Sequence, residues 1–245
     1  DVYKRQAHQL TDTEGYSASK GLFSARKAIM QYAQLKNIPN VTIDDIYTGN
    51  GVSELINLSM SALLDTGDEV LVPSPDYPLW TACVNLAGGT AVHYLCDEQS
   101  EWYPDIDDIR SKITSNTKAI VIINPNNPTG TAVDSNELRE FIHSMPKHVI
   151  TVVDEAYIEF ATDPAVESMI SEIGEDTNLI VVRTFSKIYG LAGERIGYSL
   201  MNKKLNGVLQ KATSVFVVGR TALAGAMAAL DDDSFIASTR EGIRE

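Results

Sequence analysis

Cysteine and positive charge are both scarce in this chain of 245 residues. Two cysteines, Cys83 and Cys96, are too few for a disulfide framework, so we expect a reducing, cytoplasmic setting. Lysine and arginine number 20 against 33 aspartates and glutamates, which gives a formal net charge of −13. Nucleic acids and anionic membranes are met by basic protein faces, so this balance argues against both as partners.

Long apolar runs are also absent. No run approaches the ~18 residues needed to cross a bilayer, and no basic-then-apolar secretory leader opens the chain. The four histidines show no zinc-ligand spacing, so we expect no metal site. At roughly 150 residues per domain, the length predicts one large domain, or one domain plus a fragment.

The chain opens with two short regions of different character. Residues 1–6 (DVYKRQ) match no helical or strand pattern, and we interpret them as a non-native remnant. Residues 7–40 form a predicted N-terminal helical segment, because apolar residues recur at helical spacing between Gly21 and Asn37.

From residue 41 onward, short apolar runs alternate with helical stretches such as 52–64 and 135–144. The runs are 45–49, 69–73, 91–95, 118–125, 149–157, 179–187 and 196–201. Several are apolar at consecutive positions, which is typical of parallel strands buried on both faces. We therefore predict an α/β three-layer sandwich with a mostly parallel, seven-stranded sheet in a large domain spanning 41–245.

The last two runs are joined differently. Only residues 188–195 separate them, and a parallel crossover needs a dozen residues or more. We therefore expect the final strand to be antiparallel. A long helical region should follow over 205–230, interrupted near Gly219.

Polar residues collect where the predicted strands end, the edge at which open parallel sheets bind ligands. The segments are Gly-Asn-Gly at 49–51, Asn-Asn-Pro-Thr-Gly at 126–130, Asp-Glu-Ala-Tyr at 154–157, Thr-Phe-Ser-Lys at 184–187 and Gly-Leu-Ala-Gly-Glu-Arg at 190–195. Each alone is most simply a turn, a cap or a surface lysine. Together they bring an amine, a carboxylate, hydroxyls and a guanidinium to one edge.

These segments, in this order and spacing, resemble the fold-type I pyridoxal-phosphate (PLP) enzymes, specifically the class I/II aminotransferases. The stretch 47–98, with Pro-Asp-Tyr-Pro-Leu-Trp at 75–80, resembles alanine aminotransferase-like proteins. From Asp154 onward the chain resembles histidinol-phosphate aminotransferases. The combination fits either a natural subfamily or a chimera of two reading frames.

The resemblance implies a role for each matching residue. Lys187 would form the Schiff base with the PLP aldehyde, and Asp154 would pair with the pyridine nitrogen. Tyr157 and Asn127 would bind the ring's phenolate oxygen, and Tyr77 would stack on its face. The phosphate would be held by the groups that match the family's phosphate site, namely Gly51, Val52, Ser53, Thr184, Ser186, Arg195 and, from the neighbouring subunit of a homodimer, Tyr16.

The resemblance thus predicts a PLP-dependent transaminase acting on small-molecule amino acids and 2-oxo acids. The family's small C-terminal domain, which carries the arginine for the substrate carboxylate, would lie beyond Glu245. Three alternatives stay open: another fold-type I activity such as a decarboxylase or lyase, a non-catalytic PLP-binding module, and a fragment that binds PLP without turnover.

Overall fold

A central sheet with helices on both faces forms the frame of the molecule. The structure, a computed structural model, describes residues 2–13, 15–213 and 217–243. The strands in these ranges are β1 (Ile46–Gly49), β2 (Glu69–Ser74), β3 (Thr90–Asp97), β4 (Tyr103–Pro104), β5 (Thr117–Ile123), β6 (Ile150–Asp154), β7 (Leu179–Thr184) and β8 (Gly197–Met201). The α-helices are α1 (Val2–Gln9), α2 (Phe23–Leu35), α3 (Gly51–Leu63), α4 (Leu79–Leu86), α5 (Ile106–Lys112), α6 (Ser135–Ser144), α7 (Lys203–Ala212), α8 (Arg220–Leu230) and α9 (Asp233–Gly242).

The strands lie in the order β1-β8-β7-β6-β5-β2-β3-β4. Strands β7, β6, β5, β2 and β3 are parallel to their neighbours in this series, whereas β8 is antiparallel to both β7 and β1. The predicted antiparallel final strand is therefore confirmed. The short link before it holds only a single 3₁₀ turn, Ala192–Glu194, which cannot carry the chain back across the sheet.

The predicted fold class is confirmed, but the strand count of seven is wrong. An eighth strand, β4, pairs antiparallel with the end of β3 at the sheet margin. It is two residues long and includes Pro104, so it offers neither an apolar run nor an alternation that sequence periodicity could detect.

Two apolar cores cover the two faces of the sheet, as the three-layer prediction requires. One packs α2, α5, α6, α8 and α9 against the sheet, and the other packs α3, α4 and α7 against the opposite face. Strands β1, β5, β6, β7 and β8 are almost entirely buried between them, which explains their consecutive apolar residues, whereas β3 and β4 at the sheet margin are partly exposed. Across the described ranges, every helix is too short or too polar to span a bilayer.

Two helical regions differ from the sequence-based picture. The sequence shows no helical pattern over 1–6, but residues 2–6 form the first part of α1, which continues to Gln9 within the predicted helical segment. This helix buries no side chain of its own and is held against α8, where Gln6 Nε2 donates to the Thr221 carbonyl at 3.3 Å. The helical region predicted over 205–230 is two helices, and the predicted interruption near Gly219 is confirmed because α8 begins directly after it.

Ser199 provides a stability test of the packing between the sheet and α3. Its hydroxyl, in the middle of β8, is fully buried and has no hydrogen-bond partner among the described residues. An unpaired buried hydroxyl costs about 1–3 kcal/mol of desolvation, so Ser199→Ala should be neutral or raise the free energy of unfolding by about 1 kcal/mol.

Ser135→Ala is the matched control for this measurement by urea denaturation. Ser135 is equally buried, but its hydroxyl accepts the Glu167 N–H at 2.5 Å. Its removal should lower the free energy of unfolding by about 1–2 kcal/mol. If both variants lose the same stability, the Ser199 hydroxyl is paired in solution.

Candidate functional site

The carboxyl ends of the parallel strands bring the predicted polar segments together. From one side to the other, this edge presents the β1–α3 turn, the segment that enters β8, the end of β7, the end of β6, and the loops after β5 and β2. Because β8 is antiparallel, its first residue, Gly197, lies at this same edge, beside Gly49 and Thr184. Arg195, two residues before β8 begins, therefore lies at this edge as well.

A cavity of about 210 Å³ lies at this edge. Every sequence-predicted site residue lines it except Gly51 and Tyr16. Its walls are formed by Val52, Ser53, Tyr77, Ile123, Asn127, Asp154, Ala156, Tyr157, Thr184, Ser186, Lys187 and Arg195. Strands β6 and β7 end at Asp154 and Thr184, before the ends of the predicted runs 149–157 and 179–187, so Tyr157 and Lys187 lie on loops above the sheet. Asn127 lies on the loop after β5, which ends at Ile123.

Asp154 is the buried carboxylate of this cavity. Its side chain accepts the Ala156 N–H at Oδ1 (3.0 Å) and the Trp80 indole N–H at Oδ2 (3.2 Å). Burial raises the pKa of Asp154 to about 6, although both hydrogen bonds and the nearby Lys187 amine act in the opposite direction. A carboxylate held this way is suited to a cationic N–H partner, which would supply the charge compensation that burial demands.

Lys187 and Tyr157 face each other across the cavity. The Lys187 ammonium lies 5.1 Å from the centre of the Tyr157 ring, within the range of a cation–π contact. The Tyr157 hydroxyl in turn accepts the Asn127 side-chain N–H at 3.2 Å. The three side chains come from the loops after β7, β6 and β5, so one hydrogen-bonding group is contributed by each of three adjacent strand ends.

A second cluster of donors lies on the β7–β8–β1 side. The Arg195 guanidinium donates to the Ser186 hydroxyl at 3.4 Å, and the Ser186 N–H donates to Thr184 Oγ1 at 3.0 Å. Beside them α3 begins at Gly51, and the Asn50 side chain makes no capping hydrogen bond there. Glu54 Oε2 accepts the Asn50 N–H at 2.6 Å, so one backbone N–H at this helix start is already paired. The start of α3, without a side-chain cap from Asn50 and beside a guanidinium and two hydroxyls, is a favourable site for an anion.

Gly51 contributes to this cluster by having no side chain. A Cβ at position 51 would lie 2.5 Å from Arg195 Nη2, and its backbone φ of +76° disfavours any other residue. Gly51 therefore lets the guanidinium lie directly against the start of α3.

Tyr16 is the predicted site residue that the single chain does not bring to the cavity. Its side chain is 80% exposed and does not line the cavity. Its assignment to the phosphate site of a neighbouring subunit remains a prediction.

Sequence reasoning missed two contributions to the site. One is Trp80, fully buried in α4, whose indole N–H holds Asp154; we had used it only as part of a motif. The other is the buried pair behind the cavity, in which Arg183 Nε and Nη2 lie 2.9 and 2.8 Å from Glu155 Oε2. Glu155 follows Asp154 and Arg183 precedes Thr184. Because neighbouring side chains along a strand point to opposite faces, this alternation could have predicted that Glu155 and Arg183 both lie on the face away from the cavity.

Comparisons with known proteins identify the family to which this chain belongs. Residues 2–245 match the family described as aminotransferase class I and II. The chain is 52% identical over 194 residues to glutamate-pyruvate aminotransferase AlaA of Haemophilus influenzae, covering 79% of this chain and 48% of that protein. It is 36% identical over 208 residues to histidinol-phosphate aminotransferase 1 of Psychrobacter arcticus, covering 84% of this chain and 53% of that protein.

A solved structure of an aminotransferase from Escherichia coli superposes with a TM-score of 0.83 at 44% identity, covering 94% of this chain and 59% of that one. The chain spans about half the length of the curated relatives that it matches. The resemblance seen in the sequence is confirmed by all three comparisons. This chain belongs to the aminotransferase class I and II family.

Proposed function

We propose that the chain is the cofactor-binding part of a PLP-dependent transaminase, which transfers an amino group between an amino acid and a 2-oxo acid. The observation that carries the proposal is the cavity itself, which gathers the Lys187 amine, the buried Asp154 carboxylate and an anion site in one space of about 210 Å³.

The residues present fit PLP in the order in which they occur along the edge. The donor cluster of Thr184, Ser186 and Arg195 belongs to the β7–β8 side, and Asp154 ends the next strand, β6. An elongated molecule with a phosphate at one end and a protonated ring nitrogen elsewhere would thus find an anion site and a carboxylate in neighbouring positions. The close approach of Arg195 to Gly51, which a Cβ would prevent, favours a small anion there.

PLP, when bound, supplies an electron sink for the bond-breaking at the amino acid's α-carbon. Lys187 provides the primary amine that can attach to the cofactor aldehyde and, once released, move a proton at the α-carbon. Asp154 would accept the ring N–H and hold that proton in place. Tyr157, oriented by Asn127, would donate its hydroxyl proton to the ring oxygen.

Alanine, glutamate and their 2-oxo acids are the substrates that we propose. Support comes from the 52% identity to a glutamate-pyruvate aminotransferase, against 36% to a histidinol-phosphate aminotransferase. We further propose a homodimer in which Tyr16 reaches the partner's phosphate site. The cytoplasm is the compartment that we propose, because Cys83 and Cys96 are both buried as free thiols.

The proposal is tested by adding PLP to the purified chain and then an amino acid with a 2-oxo acid acceptor. We expect covalent PLP and the appearance of the new amino acid, fastest with glutamate and pyruvate. Release of CO₂ instead would support the decarboxylase alternative. Covalent PLP without any product would identify a binding fragment, and absence of PLP binding would reject the proposal.

Arg195 offers a quantitative test of the anion site. Arg195→Ala removes the guanidinium that contacts Ser186 and Gly51, and should weaken PLP affinity by about 1.5–3 kcal/mol, the contribution of a charged hydrogen bond. Covalent attachment at saturating PLP should persist. Pyridoxal without phosphate should bind the variant and the original chain equally well, and equal PLP affinities would show that Arg195 has only a structural role.

A further inference from the structure

The segment that carries Tyr77 is tied down by a cluster of three side chains outside the cavity. Asp76, Thr81 and His93 come from the loop after β2, from α4 and from β3. Thr81 Oγ1 lies 2.5 Å from Asp76 Oδ2 and 3.0 Å from His93 Nε2. None of the three residues lines the cavity, but Asp76 is the chain neighbour of Tyr77, which does.

The protons in this cluster can be assigned from the chemistry of the groups. A threonine hydroxyl has one proton, and its short contact with a carboxylate oxygen, which can only accept, requires that proton to point to Asp76. The contact between Thr81 and His93 then needs a donor on the histidine side, so Nε2 carries a hydrogen. The result is a directed series from His93 to Thr81 to Asp76 that ends on a carboxylate, the arrangement that strengthens hydrogen bonds.

The cluster connects a loop to a fixed part of the sheet. His93 lies in β3, directly beside Val72 of β2, and its carbonyl accepts the Lys112 ammonium from α5 at 2.8 Å. Asp76 lies two residues beyond the end of β2, and its side chain is only 17% exposed. The loop that carries Tyr77 is therefore fastened to β3 across the strand end from which it departs.

Tyr77 itself depends on this attachment. Tyr77 is 39% exposed, so burial alone does not fix its ring. On the chain side, its carbonyl accepts the Trp80 N–H at 3.0 Å, which begins α4. The position of the ring thus depends on the backbone before and after Tyr77. Asp76 fixes the backbone before it, and the hydrogen bond from Trp80 fixes the backbone after it.

We propose that Asp76 and His93 are positioning residues, which hold the Tyr77 ring against the cofactor cavity through Thr81. This inference rests on the proposed function, since the ring acts on whatever the cavity binds. Asp76 and His93 do not line the cavity, and they are linked only through side chains. Their effect on PLP binding should therefore pass entirely through Tyr77.

A double-mutant cycle on PLP affinity tests this. Asp76→Ala and His93→Ala should each weaken PLP binding about tenfold, and Tyr77→Ala at least as much, because aromatic stacking and its orientation are both lost. Adding Asp76→Ala to Tyr77→Ala should then change the affinity by less than about twofold. Asp76→Asn, which keeps an acceptor for the Thr81 hydroxyl, should recover most of the affinity.

His148→Ala is the matched control. His148 is also an exposed histidine with one hydrogen-bonded Nε2, but its partner is the Thr114 carbonyl near the opposite ends of the strands, and PLP affinity should not change. A bound-PLP absorption or circular dichroism spectrum altered in Asp76→Ala but not in His148→Ala would give the expected signature of a displaced ring.

The outcomes separate the two proposals. If the unaltered chain binds no PLP, the proposed function fails and this role fails with it. If the chain binds PLP but Asp76→Ala and Tyr77→Ala have additive effects, or Asp76→Ala has none, the positioning role is overturned and the proposed function stands.

Discussion

Replacing Lys187 with alanine should abolish covalent attachment of PLP while leaving the cavity able to hold PLP noncovalently. Lys187 is the lysine that lines the cavity, and its ammonium lies over the Tyr157 ring. Under the proposed function, loss of the amine would also remove the group that moves the α-carbon proton, so amino transfer should fall by about 10²- to 10⁴-fold or more.

The measurement is borohydride reduction of the PLP-treated chain, followed by mass spectrometry of its peptides. Label is expected only on the peptide that contains Lys187. Lys203 and Lys204, exposed at the start of α7, are the control positions, and alanine at either should leave labelling intact. Label on another lysine in Lys187→Ala would remove the chemical basis of the proposed function.

Replacing Asp154 with asparagine should change the pH dependence of folding stability in the absence of cofactor. The pKa of Asp154 is raised from 3.8 to about 6 in the folded chain, mainly by burial. The folded chain therefore binds this proton more tightly than the unfolded chain, and ionisation of Asp154 costs stability as the pH rises from about 4 to about 6. Above pH 6 the full cost is present.

Asparagine carries no charge, so the variant escapes this cost. Relative to the original chain, the free energy of unfolding of Asp154→Asn should gain roughly 2 kcal/mol between pH 4 and pH 7. A separate loss is also expected, because the asparagine oxygen can accept only one of the Trp80 and Ala156 N–H groups and the amide nitrogen cannot accept the other. The pH-dependent part is measured by urea denaturation at several pH values.

Asp163→Asn is the control, since Asp163 accepts the N–H two residues ahead of it as Asp154 does, but is exposed. This control should not reproduce the gain. With PLP and substrates present, Asp154→Asn should lower amino transfer by about 10²- to 10³-fold, because the ring proton loses its charged partner. A parallel pH dependence for Asp154→Asn and the original chain would mean that Asp154 is solvated.

The two effects of Asp154 have one physical origin. A carboxylate that is costly to ionise without a partner gains most from a cationic ring nitrogen when one arrives. Trp80 and Ala156 hold both oxygens in place but supply no positive charge. Without a cationic partner, ionised Asp154 lowers the free energy of unfolding, and bound PLP would remove this cost. Folding stability and cofactor affinity are therefore linked.

The sequence by itself determined the fold class and most of the side chains that meet at the cavity. Consecutive apolar residues identify doubly buried strands, and the brevity of the link over 188–195 fixes the direction of β8. Ligand groups that follow strand ends must meet at one edge of a parallel sheet, so the convergence of Asn127, Asp154 and Lys187 could be predicted before any coordinate.

Only the tertiary structure decided which groups support those residues. The indole of Trp80 reaches Asp154 across 74 positions of sequence, and His93 reaches the Asp76 loop through Thr81, contacts that no local pattern encodes. The two-residue strand β4 and the helix α1 likewise lack their own periodic signal, since each forms only against a partner, β3 or α8. Sequence patterns report burial and local geometry, whereas hydrogen bonds between distant side chains exist only once the sheet order has brought their strands together.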